Sequence, residues 1–148
     1  MNRTKIFADA LASELAESLG AVGVELPVYG LLNDPEASGD RIEVRVDGVE
    51  ELIPGNHTVR LDGEVVLLLG CMQRSEQELM ELAGTVSGAV RGVVMVRQKY
   101  EPLKVEGAGA EYDAQPFLLL YMCPKESELA VEDEQWKWEL RYSAFVQF

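Results

Sequence analysis

One histidine, two cysteines and 26 carboxylates are the reactive side chains of this sequence. A Ser–His or Cys–His hydrolase needs an imidazole base, and His57 is the single candidate. It stands in Pro54-Gly55-Asn56-His57, a turn sequence ahead of an alternating strand pattern, where a solvated turn histidine is the ordinary reading. Cys71 and Cys123 each follow an apolar run and show no CxxC spacing. Such thiols act as small hydrophobes rather than as redox or metal groups. Metal chemistry then falls to carboxylates alone. The acidic stretch 126–134 lacks the EF-hand spacing of Gly and terminal Glu, and reads as a solvated loop. Gly107-Ala108-Gly109 opens no dinucleotide fingerprint, and no phosphate-binding GxxxxGK[ST] occurs. With 26 acids, carboxylate pairs for acid–base work are always on offer, so their presence discriminates nothing. The expectation is a protein that is not an enzyme, with no catalytic residue, no cofactor and no metal.

The aromatic side chains point elsewhere. Trp136, Trp138, Tyr142, Phe145 and Phe148 place five of the eleven aromatics at the C-terminal end. One parity of that segment reads as core, but an aromatic at a terminus suggests docking, because free termini fray. Aromatics are enriched at the centres of interfaces, and a long edge strand offers unpaired backbone groups to another subunit.

Composition narrows the partners. Thirteen basic residues face 26 acidic ones, a formal charge of −13, which repels phosphate backbones and anionic lipid. Specific nucleic-acid binding and membrane attachment are therefore not expected. At 148 residues and 47% apolar, the chain reads as one domain, 1–148, burying roughly two-thirds of its unfolded surface. No apolar run approaches the roughly 20 residues that span a bilayer, and the polar, amphipathic start shows no secretory pattern. The expected setting is soluble, reduced and cytoplasmic.

Elements must hold these residues in place. Ile6, Phe7, Ala10, Leu11, Leu15 and Leu19 recur at helical spacing, with Gly20 as the stop. Residues 26–29 suit a short strand, and 33–39 a turn-rich loop. Ile42, Val44 and Val46 alternate with charged residues before Asp47-Gly48, a hairpin signal. Val59 and Leu61 alternate likewise, Asp62-Gly63 reads as a bulge or a second turn, and 65–69 is apolar throughout, as in a strand covered on both faces. Ser75-Glu-Gln-Glu78 is a capping box for a second helix with Leu79, Leu82, Ala83, Val86, Ala89 and Val90 on one face, ending near Gly92. Within it, Gly84 and Gly88 are spaced for close packing against a neighbour. Short strands at 93–96 and 117–122 bracket a long loop or flap over 100–115, and 136–148 alternates as one long strand, part of it reaching beyond one sheet. The order predicts an α+β fold, a mainly antiparallel sheet with two helices packed on one face.

This succession of amphipathic helix (5–19), strand pair (42–46 and 59–69), capped helix after Ser75 and final alternating strand (135–148) resembles the phage tail terminator, or tail completion, proteins of the head–tail neck. The resemblance implies a homo-oligomer, typically a hexameric ring, that caps the tail tube and meets the head connector. It implies two protein partners, the tail tube protein and the connector protein, and DNA passing through the ring without specific binding. It places the protein in the virion neck, and in the bacterial cytoplasm during assembly. Candidate interface residues are His57, Tyr100, Trp136, Phe145 and Phe148. Two other readings stand beside it: a small-molecule or peptide-binding module whose 100–115 flap closes over an apolar sheet face, and an enzyme working with carboxylates alone, which would bury an acid in a cleft.

Overall fold

The computed structural model describes residues 3–30, 39–53, 55, 58–72, 74–95, 99–100 and 117–147. In chain order they form α1 (Arg3–Ala21), β1 (Val28–Tyr29), β2 (Arg41–Ile53), β3 (Thr58–Gly70), α2 (Glu76–Met95), β4 (Lys99–Tyr100), β5 (Phe117–Glu132) and β6 (Gln135–Gln147). The strands make one sheet in the order β1-β2-β3-β6-β5-β4. Its pairings are antiparallel except for the short parallel pair β1–β2. The fold is α+β, with both helices packed on one face of a mostly antiparallel sheet.

The amphipathic stripe of α1 is buried as its spacing requires, and Ala8 and Ala12 join it. The helix ends one residue later than Gly20, at Ala21. Gly23 takes φ 84°, the Val24 amide donates to the Leu19 carbonyl at 2.9 Å, and the Gly23 amide donates to Gly20. This is a Schellman stop, with the left-handed position filled by the residue that has no Cβ to clash. The strand expected at 26–29 shrinks to the two residues of β1.

At α2 the Ser75 hydroxyl accepts the Glu78 amide at 3.2 Å, as the capping motif predicts. The Glu78 carboxylate turns instead to the Arg74 guanidinium, 3.3 Å away. Leu79, Ala83, Val86 and Val90 face the core, and the helix runs on to Met95, so residues 93–95 are helical rather than the expected strand. Packing of this face outweighs the roughly 1 kcal/mol that each interior glycine costs.

The sheet departs from the sequence reading at each proposed turn. Asp47-Gly48 is no hairpin: β2 continues to Ile53, and the extra residue is absorbed as a bulge between Val46 and Gly48. Asp62-Gly63 makes no second turn either; it lies inside β3, paired on both sides, and the bulge at this level of the ladder is carried by β2 opposite it. A side chain at Gly63 would run into the Arg45 carbonyl and the Tyr142 ring and hydroxyl, because the Tyr142 O–H crosses this point to reach that carbonyl at 2.8 Å. Glycine is needed there for space, not for a turn. The acidic stretch 126–134 is no loop: its first seven residues continue β5, and a two-residue turn at Asp133 (φ 49°) and Glu134 (φ 61°) leads into β6. β6 does not overrun the sheet; all 13 of its residues pair with β3.

The core lies between this sheet and the helices. Val59, Leu61, Val65, Leu67 and Leu69 of β3 join Trp138, Leu140, Tyr142, Ala144 and Val146 of β6 beneath α1 and α2. Phe7 packs on both Phe117 and Tyr142, with ring centroids 6.1 Å apart in each case. Val66 and Leu68 are buried on the opposite face, which explains the unbroken apolar run 65–69. Register places Val66 between Glu43 and Glu139, and Leu68 between Arg41 and Lys137. The stems of long charged residues flank them there, with their heads tied in ion pairs.

Candidate functional site

The interface residues expected from the sequence fall in different places. His57 and Phe148 lie outside the described residues, as does 101–116, most of the expected flap. Tyr100 belongs to β4, and its backbone pairs with Phe117. Trp136 is half-buried against the core, and its indole N–H donates to the Arg74 carbonyl at 3.1 Å, so it clamps the β3–α2 turn to the sheet. Phe145 is half-buried on the helix-free face and stacks, tilted, against Tyr121 at 6.1 Å.

The exposed apolar side chains were missed at the sequence level. Val49 (52% exposed) and Leu52 (39%) project from β2; Tyr121 (51%), Leu129 and Val131 (58%) project from β5. Among the described residues, β2 has an outer neighbour only at Ile42 and Glu43, and β5 only at Phe117 and Leu118. The two outer strands thus present open edges. Val49 pairs with Leu61, Leu61 with Ala144, and Ala144 with Met122, so Val49 stands level with Met122 and its neighbour Tyr121 on the far edge. A signal existed: Tyr121 sits inside the apolar run 117–122, where nothing at the sequence level marks the strand as an outer one.

The helix-free face is a ladder of charge. Arg41 and Arg45 both bond Glu43, Arg45 bonds Glu64 at 3.2 Å, and Lys137 bonds Glu139 at 2.7 Å. Arg60 holds Glu50 and Asp62, and the Ser143 hydroxyl donates to Asp62. Desolvation, then the Glu139 charge, pushes the Glu64 carboxyl above the usual range against the pull of Arg45. The Lys137 hydrogen bond holds Glu139 below it. A shallow groove beside this ladder is lined by Asp47, Asp62, Glu64, Lys125, Glu126 and Arg141. Among the described residues no group of His, Cys, Asp or Glu has an arrangement that would hold a metal ion. Cys71 and Cys123 are free and half-buried.

Two further features bear on function. Asp9 is 1% exposed within the buried stripe of α1, and Gly30 packs directly on its carboxyl. The sequence places this acid at helical spacing on the apolar face of α1. At Gly84 and Gly88, spaced for close packing, an added Cβ would meet nothing within 4 Å among the described residues, so none of the described elements uses them for close approach. Among the described residues no helix is long and apolar enough to cross a membrane. Comparison with models of protein families and with curated proteins gives no match.

Proposed function

We propose that this chain is a structural subunit of a phage tail terminator, a ring of identical copies that caps the tail tube and joins it to the head connector. The observation that carries the reading is the pair of open edges with exposed apolar side chains, Val49 on β2 and Tyr121 on β5 at one level and Leu52 further along β2. A ring of identical subunits needs two different surfaces that meet head to tail, whereas a twofold dimer needs only one. Edges on opposite sides of one sheet supply such a pair. The charge of −13 suits the role, because an acidic lumen repels DNA phosphates and lets the duplex slide. In this reading the protein works in the virion neck by protein–protein contact alone.

Light scattering across a range of concentrations, with negative-stain imaging, tests the reading. The expected result is a closed ring of about six copies, and its loss in Val49→Asp and Tyr121→Asp variants that retain native melting. A species that stays monomeric at every concentration, alone and with tail tube protein, overturns it.

A further inference from the structure

We propose that residues 127–132 of β5 are a docking edge for an extended segment of a partner protein in which apolar residues alternate with Lys or Arg. The inference does not rest on ring assembly, since this stretch lies toward the opposite end of β5 from Tyr121.

The backbone is ready to take a strand. Residues 127–132 pair with β6 from Ser127–Leu140 to Glu132–Gln135 without a register shift, and among the described residues their other edge has no strand beside it. The position is braced from the helix side. The Cys71 amide donates to the Glu134 carbonyl at 3.0 Å, the Trp136 indole to Arg74, and the Gly70 amide to Asp40 at 2.9 Å. A braced edge binds without paying much ordering entropy of its own.

The side chains then specify the guest. Leu129 and Val131 lie opposite Trp138 and Trp136, on the helix-bearing side, and stand 38% and 58% exposed. Met72, 91% exposed, follows Cys71 in the turn held to Glu134 and is a flexible apolar side chain. Glu128 and Glu132 alternate with these on the other side, followed by Asp133 and Glu134 at the turn. Lys137 lies closer to Glu139, at 2.7 Å, than to Glu132, at 3.6 Å. Among the described residues no cation reaches ion-pair distance of Glu128, Asp133 or Glu134. A strand added to this edge meets apolar groups on one side and, on the other, Glu128, unpaired among the described residues, and Glu132, which shares Lys137 with Glu139, so alternating apolar and basic residues match it. A second copy is the poorer guest, because the chain carries −13 and its own β5 stretch would set these carboxylates against each other.

The probe is a seven-residue peptide alternating Val and Lys, used below its own association threshold, with the Val/Glu peptide as control. Binding is read by Trp136 and Trp138 fluorescence and by amide exchange over 127–132. The expected result is binding of the Lys peptide only, weakening with salt, with slowed exchange confined to this edge. Val131→Asp, and Glu128→Lys with Glu132→Lys, should each weaken it roughly tenfold or more, while Glu17→Lys on the far helix leaves it unchanged. All these positions are exposed, and a melting curve verifies the fold. Equal binding of both peptides, no binding, or protection elsewhere overturns the proposal. So does protection of 127–132 that grows with chain concentration in the absence of peptide, which would make a second copy the occupant. Ring formation read in the same samples is scored separately, so either reading can fail alone.

Discussion

β3 and β6, at the middle of the sheet, and β2 and β5, outside them, have similar lengths and opposite behaviour. From Thr58–Gln147 to Gly70–Gln135 the central pair keeps one register without a break. All four register shifts fall between a central strand and an outer one, two against β2 and two against β5. A central strand is held by ladders on both sides and by a core under one face, so an extra residue would disrupt two pairings at once. An outer strand answers to one ladder, and its free side absorbs the extra residue. The same asymmetry leaves Val49, Tyr121, Leu129 and Val131 exposed, while their central counterparts Leu61 and Trp138 are buried and Phe145 and Trp136 half-buried. Order is concentrated in the middle, and the surface available to partners lies at the margins.

The contrast is sharpest for truncation to alanine. Trp138→Ala in β6 should cost about 3–5 kcal/mol, because it removes a large buried ring, whereas Val131→Ala, in the strand beside it, should cost about 0.5 kcal/mol or less. Urea melts of the two variants measure both, and equal losses would break the comparison. Gly63→Ala comes next, at roughly 2–3 kcal/mol, since the new methyl displaces the Tyr142 hydroxyl from the Arg45 carbonyl. Gly48→Ala, at the bulge of β2, has open space for its Cβ, and thermal denaturation should show little change.

A smaller effect of opposite sign is expected at the outer hairpin. Asp133 and Glu134 both have positive φ, a conformation that suits Asn-Gly far better. Glu134→Gly should therefore stabilise the fold by about 0.5 kcal/mol, seen as a higher denaturation midpoint. A fall in the midpoint would show that the carboxylate matters more than the backbone strain.

The smallest effect is on pH dependence. The folded pKa of Glu64 is raised above the ordinary 4.5, chiefly by desolvation. Its contribution to stability is then fully present below 4.5 and is lost as pH rises through the folded value. Glu139 is depressed by Lys137, so its contribution is present above the unfolded pKa and disappears as pH falls. Glu64→Gln removes the first slope. The stability of the variant minus that of the natural chain should therefore rise as pH increases from 4.5 through the raised folded value; a flat or falling difference by denaturant titration contradicts the assignment.

Several sequence signals were reliable because their causes are local. The buried stripe of α1, the Ser75 cap and the single parity of β6 all depend on spacing within one element. The misreadings share a different cause. Asp47-Gly48 and Asp62-Gly63 carry turn chemistry, yet each is kept extended by partners far along the chain, Gly63 by Tyr142 above all. Residues 126–132 look like a solvated acidic loop because nothing in their composition announces that β6 will hold them straight. As for the candidate site, the sequence marks Phe145 but not its stacking partner Tyr121, and it marks Trp136 but not the Arg74 carbonyl that accepts from its indole. Exposure depends on which strand ends up outermost.

By itself the sequence determined that two amphipathic helices and a set of alternating strands would form an acidic α+β domain, because periodicity records which face of an element leaves water. Tertiary structure alone decided that β3 and β6 lie at the centre, that Gly63 makes room for Tyr142, and that β2 and β5 face outward with apolar side chains showing. Strand order is set by the sum of many distant pairings and by a shared core, and no local pattern encodes that sum.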